Sequence, residues 1–160
     1  MLLWFVGGSA LVVWLVFHDP RLDYRLVVAG ALLPDIVDGL WGGARAMHSV
    51  TAAVAALVLV MAVTVGRRST RRRWLALPIG MFLHLVLDAA FADPKVFWWP
   101  FGGLAFTDAQ LPSLDRPLAV NLVLEVAGGA MIVWFWRHFR LADPDRRRSL
   151  VRTGRLSPPA

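Results

Sequence analysis

No cysteine occurs in these 160 residues. Disulfides, thiolate nucleophiles and thiolate metal ligands are thereby excluded. No segment repeats another and no linker divides the chain, so one domain is expected. Charge is missing over long distances as well. Stretches 1–17, 46–65, 74–92 and 118–136 lack strong charge, apart from Asp88 in the third and Glu125 in the fourth. Each is close to the roughly 17–25 apolar residues that a membrane-crossing helix needs. A fifth stretch, 24–41, is apolar except for Tyr24, Arg25, Asp35 and Asp38. The first stretch lacks the positive start and the small-residue cleavage site of a secretory signal, so it reads as a retained helix.

What is present is apolar. Hydrophobic residues make up 58% of the chain and the mean hydropathy is +0.58, more than a soluble domain of this length requires. The expected fold is all-α: an integral membrane bundle of five transmembrane segments, or four plus a re-entrant 24–41. It covers residues 1–140, and a basic, disordered tail follows over 141–160. The expected location is a bacterial-type cytoplasmic membrane.

A net charge of +6 would suggest nucleic acid in a soluble protein. Here the placement of the charge gives a different reading, with no nucleic-acid partner. Fourteen of the seventeen basic residues lie at 21–25, 67–73 and 137–155; only Arg45, Lys95 and Arg116 lie elsewhere. With five crossings those fourteen share one side, which the positive-inside rule makes cytoplasmic, together with the C-terminus. Trp4, Trp41, Trp98 and Trp99 then mark the outer interface, and Trp14, Trp74, Trp134 and Trp136 the inner one. The runs "RRSTRRR" and 137–155 serve as topology determinants. They could also attract anionic lipid, at about 1 kcal/mol per basic residue near the surface.

On this frame the stray polar residues share one depth. Asp35 and Asp38 end the second segment, His48 opens the third, and His84 and Asp88 sit one turn apart in the fourth. Asn121 and Glu125 sit one turn apart in the fifth. All fall within roughly 10 Å of the outer boundary. Taken alone, His84 and Asp88 are most simply a hydrogen-bonded pair on one helix face. Four carboxylates gathered in a low-dielectric pocket, however, need a compensating cation. Two imidazoles with carboxylates suit a divalent metal: zinc first, with manganese or magnesium as alternatives. The expected ligands are Asp35, His48, His84 and Asp88. Asp38 is expected to be a further ligand or the general base, and Glu125 an outer partner or proton acceptor. Asp93, Asp108 and Asp115 read as solvated loop residues. Pro34 is expected to break the second segment just before Asp35, and "TAAVAA" and "AGGA" to allow close helix packing.

The order "LLPDIVDG", "HS" at 48–49, "GMFLHLVLD" and "FWWPF" resembles the YdjM-like family of predicted membrane-bound metal-dependent hydrolases. The likeness covers about residues 30–103. It implies functional roles for Asp35, His48, His84 and Asp88, and less directly for Asp38. The chain departs from the family pattern at Gly43, Ala44 and Met47, and its second acidic residue falls one place later. The implied activity is metal-dependent hydrolysis of an ester or phosphoester at the extracytoplasmic membrane face. A lipid-like substrate would suit a pocket near the headgroups. A non-catalytic protein with a structural metal, or an ion-binding or transport protein, are the alternatives.

Overall fold

The computed structural model describes residues 1–40, 43, 45–101, 103–104 and 116–156. Trp41, Ala44, Asp108 and Asp115 lie outside the described residues. The described chain is helical and contains no strand. Its helices are α1 Leu2–Phe17, α2 Tyr24–Gly39, α3 Val50–Val63, α4 Arg68–Trp74, α5 Ala76–Leu87, α6 Pro94–Phe97, α7 Leu118–His138 and α8 Pro144–Thr153. Single 3₁₀ turns occupy Ala46–His48 and Ala90–Ala92.

Local chemistry sets several of these boundaries. The Asp23 side chain caps α2 by accepting from the Arg25 amide, and Ser49 caps α3 by accepting from the Ala52 amide, which satisfies amides that have no partner within the helix. Asp143 caps α8 with Pro144 in its first turn, and Gly154 closes it in the left-handed region at φ 73°. Leu75 is itself in the right-handed helical region. Its amide donates to Arg71 and its carbonyl accepts from Ile79, so α4 and α5 run on as one nearly continuous rod.

The lengths correct part of the sequence reading. Among the described residues only α7, with 21 residues, is long and apolar enough to cross a membrane by itself, and 11% of its most apolar window is buried. Helices α1 and α3, with 16 and 14 residues, reach about 24 and 21 Å, against a hydrocarbon core of about 30 Å. Segment two is not broken at Pro34. Helix α2 runs through that proline to Gly39, so Asp35 and Asp38 occupy its last turn rather than the start of a new one. The expected disordered tail is also corrected: 144–153 is helix, and Leu141 and Leu156 join the core.

Backbone proximity defines the packing. Helix α2 lies along α5 more extensively than any other pair, followed by α1 along α7. Gly30 and Gly80 make the first contact: a Cβ on Gly80 would overlap the Val27 carbonyl oxygen, and one on Gly30 the Leu77 carbonyl oxygen. Gly7 and Gly128 act likewise between α1 and α7, so "AGGA" does serve close approach. Two apolar clusters fill the interior. The larger joins Val13, Val27 and Phe139; the smaller joins Ala53, Met81 and Leu85 below the site. Outside, Val58, Leu59, Leu122, Val123 and Val126 are more than half exposed.

Candidate metal centre

Three elements bring the site together. Helix α2 contributes Asp35 and Asp38 from its last turn, the 3₁₀ turn contributes His48, and the last turn of α5 contributes His84. Both imidazoles are fully buried. Asp38 anchors the turn: its carboxylate accepts the amides of Arg45, Met47 and His48 at 2.7, 3.3 and 3.2 Å. The same group lies 2.7 Å from Nδ1 of His48. A buried carboxylate in that position accepts, so Nδ1 of His48 carries the proton. Nδ1 of His84 lies 2.7 Å from the Ala31 carbonyl oxygen. A carbonyl has only acceptor capacity, so this Nδ1 also carries its proton.

In the neutral rings both Nε2 atoms then present lone pairs, and they face each other at 3.2 Å. Oδ1 of Asp35 lies 3.4 Å from the first and 3.6 Å from the second. Three acceptors would then converge, and either a proton on Nε2 of His48, shared with His84 and Asp35, or a metal ion satisfies them. Bonds of ~2.0–2.1 Å in a tetrahedral site give donor–donor edges of about 3.3–3.4 Å, and the three observed separations bracket that value. The Asp35, His48 and His84 donors together can hold a metal ion. Fixing Nδ1 so that Nε2 is aimed inward is the outer-shell pattern of metal-binding histidines. Asp35 is 26% exposed whereas the histidines are sealed, so the site opens past the carboxylate.

The remaining expected residues fall elsewhere. Asp38 is engaged by the His48 turn, with three of its four hydrogen bonds on Oδ2, which fits an orienting role. Asp88 caps α5 and is buried. Its carboxylate lies 3.3 Å from Arg116, and neither oxygen has a hydrogen bond among the described residues. The plain His84–Asp88 hydrogen bond is thus not formed: Nδ1 of His84 is taken by the Ala31 carbonyl and its Nε2 faces His48. Glu125 does not reach the imidazoles: it accepts the Leu3 amide at 2.8 Å and ties α7 to the first turn of α1. Sequence reasoning missed the Ala31 carbonyl, which no side chain advertises. It also missed Arg116, although that residue is one of just three cations assigned to the site's side.

The outer-shell role of Asp38 has a measurable consequence. Asp38→Asn replaces one acceptor oxygen by an amide that must face a donor. Metal affinity, measured by chelator competition, is expected to fall by ~10–100-fold, the usual result of losing an outer partner. An unchanged affinity would remove Asp38 from the site.

The fold and site thus define an all-helical protein with a buried two-histidine, one-carboxylate centre at one end of its central helix pair. Comparisons with known family models, with curated proteins and with solved structures give no match to this chain.

Proposed function

We propose that this chain is a multi-span membrane protein that hydrolyses an ester or phosphoester at a divalent metal site near the extracytoplasmic face. The carrying observation is the convergence of two tautomer-fixed Nε2 atoms and one half-open carboxylate. Three protein donors with one open side suit a catalytic centre better than a closed structural one. Zinc is the first choice for this donor set, with manganese or magnesium as alternatives. A divalent ion held there supplies a Lewis acid and a bound water of lowered pKa. His48 and His84 hold it from the sealed side, Asp35 holds it from the open side, and Asp38 fixes the His48 tautomer. Asp88, buried beside Arg116 with spare lone pairs, is the group best able to accept a proton. The motif likeness to the YdjM-like hydrolases supports the same reading.

Membrane insertion follows from surface and charge. The outward faces of α3 and α7 are apolar, and exposed apolar area on this scale marks contact with lipid or a partner. Helix α3 extends to about 18 residues with its preceding 3₁₀ turn, within spanning length, while the α4–α5 rod carries four arginines in its first six residues and would reach the basic interface with that end. The arginines collect at one end of the α2–α5 pair and the metal donors at the other, separated by about 18 Å along α2. The basic end is cytoplasmic in this reading. Because the chain has no native cysteine, single cysteines report sidedness directly. Lys95→Cys is expected to react with an impermeant maleimide in intact cells, and Ser69→Cys only after permeabilisation. The reverse pattern overturns the orientation. For the reaction, purified protein in detergent is screened against phospholipids and soluble phosphoesters, with and without chelator. Turnover that disappears with chelator and returns with zinc supports hydrolysis. A metal-loaded protein without turnover favours the structural-metal reading.

A further inference from the structure

At the opposite end of the bundle, three stretches distant in sequence line a cavity of about 460 Å³. Arg21, Arg25, Arg72, Arg73, Arg152 and Arg155 line it, with the Ser69 and Thr153 hydroxyls and a single carboxylate, Asp23. The walls are built rather than accidental. Asp23 is buried and accepts Nε and Nη2 of Arg25 at 3.0 and 2.8 Å and Nε of Arg73 at 3.0 Å. Burial by itself would push this carboxyl up, yet Arg25 and Arg73 hold it below the ordinary carboxylate range, so it is ionised and already matched. Arg25 also donates to the Val151 carbonyl at 2.8 Å. The Tyr24 amide donates to Gly154, and the Leu156 amide to Pro20, at 2.8 and 2.9 Å. Gly154 passes so close to Asp23 that any Cβ there would collide with the carboxylate. These bonds latch the C-terminal helix onto the α1–α2 connection and hold Arg152 and Arg155 at the rim.

The charge is unbalanced by design of the packing. Asp23 offsets Arg25 and Arg73, and Asp19 pairs with Arg72. Arg152 and Arg155 have no carboxylate within 4 Å among the described residues, and neither has Arg21. Arg73 uses only Nε on Asp23, which leaves its outer nitrogens for a ligand. Several guanidinium forks and the Ser69 hydroxyl around one cavity match the oxygens of a phosphate group, which accepts paired N–H bonds.

We infer that this cavity binds a phosphate-bearing anion, at a site separate from the metal centre and at the other end of the bundle. The inference rests on the cavity and its pairing, and it stands whether or not the metal centre is catalytic. A lipid headgroup and a free phosphate share this chemistry, so the test has two arms. Full-length protein in dodecyl maltoside is titrated with inorganic pyrophosphate by calorimetry. In parallel it is titrated with mixed micelles carrying phosphatidic acid, with phosphatidylcholine as reference. Saturable binding is expected in at least one arm, weakened at least tenfold in Arg152→Gln/Arg155→Gln. The control Arg67→Gln/Arg68→Gln removes the same charge outside the cavity and is expected to bind within twofold of wild type. Arg152→Lys/Arg155→Lys keeps the charge but loses the fork, and an intermediate loss is expected even if the glutamine pair fails to fold. Pyrophosphate binding identifies a soluble anion, and phosphatidic acid binding without competition by pyrophosphate identifies a headgroup. No saturable binding in either arm overturns the inference. So does equal loss in the cavity and control variants, which would reduce the effect to bulk charge.

Discussion

His84→Ala is expected to abolish metal binding, with a loss well beyond the ~10–100-fold typical of an outer-shell change. The substitution deletes one of three donors and leaves the Ala31 carbonyl without the proton it accepts at 2.7 Å. It also opens a void against Phe5, whose ring centroid lies 4.3 Å from the imidazole. A loss of metal could in principle follow from unfolding, so the informative comparison is with chelated wild type. An ion that binds only the folded state stabilises it by about 2.7 kcal/mol at a hundredfold excess over its dissociation constant. Wild type should therefore melt higher with zinc than with chelator. His84→Ala should still melt cooperatively, and zinc should leave its melting temperature unchanged. A zinc-dependent shift of wild-type size in His84→Ala would place the ion elsewhere.

The gathering of Asp35, His48 and His84 at one end of their helices was legible because it depends on counting. Asp35, His48 and His84 each sit a few residues from the end of an apolar run, and a helix converts residue count into depth at a fixed rise. Which groups would pair at that depth was not legible, because rotation about each helix axis and the path of each turn decide it. Asp38 illustrates the difference. It is three residues from Asp35 and reads as an equivalent ligand, yet the 46–48 turn folds back over it and consumes its oxygens with amides. Glu125, expected at the same depth, faces α1, where the first-turn Leu3 amide attracts its carboxylate. The tail misled for a different reason. Its basic composition suggested disorder, while "DPDRRRSLVRTG" carries a helix start at Asp143–Pro144 and a stop at Gly154. The seam between α2 and α5 was readable in outline too: Ala76 and Gly80 form a small-xxx-small step, overlooked beside the more conspicuous "TAAVAA" and "AGGA".

That seam carries the other large expected effect. Gly80 contacts no metal donor, yet Gly80→Val is expected to lower both stability and metal affinity. A Cβ at Gly80 would overlap the Val27 carbonyl oxygen and lie 2.9 Å from the Ala31 amide nitrogen. Both obstacles are backbone, so no rotamer change can relieve them and α2 must move away from α5. Ala31 supplies the carbonyl that fixes His84, and Asp35 follows one turn later on the same helix. Separating the helices therefore pulls apart the two halves of the site. Overpacking of this kind costs ~1–3 kcal/mol, and the β-branched side chain should place Gly80→Val at or above the top of that range, with Gly80→Ala below it. Gly39→Ala is the matched control, because a Cβ there meets nothing within 4 Å and alanine is the better helix former by roughly 0.5–1 kcal/mol. It should bind metal as wild type does. Gly30 closes the same seam from the other side against Leu77. Gly30→Ala and Gly80→Ala both force the same separation, so together they should cost less than the sum of their single effects. Full additivity in a thermal-melt series would mean that the two glycines act at independent contacts, and wild-type metal affinity in Gly80→Val would show that the site does not depend on the closeness of α2 and α5.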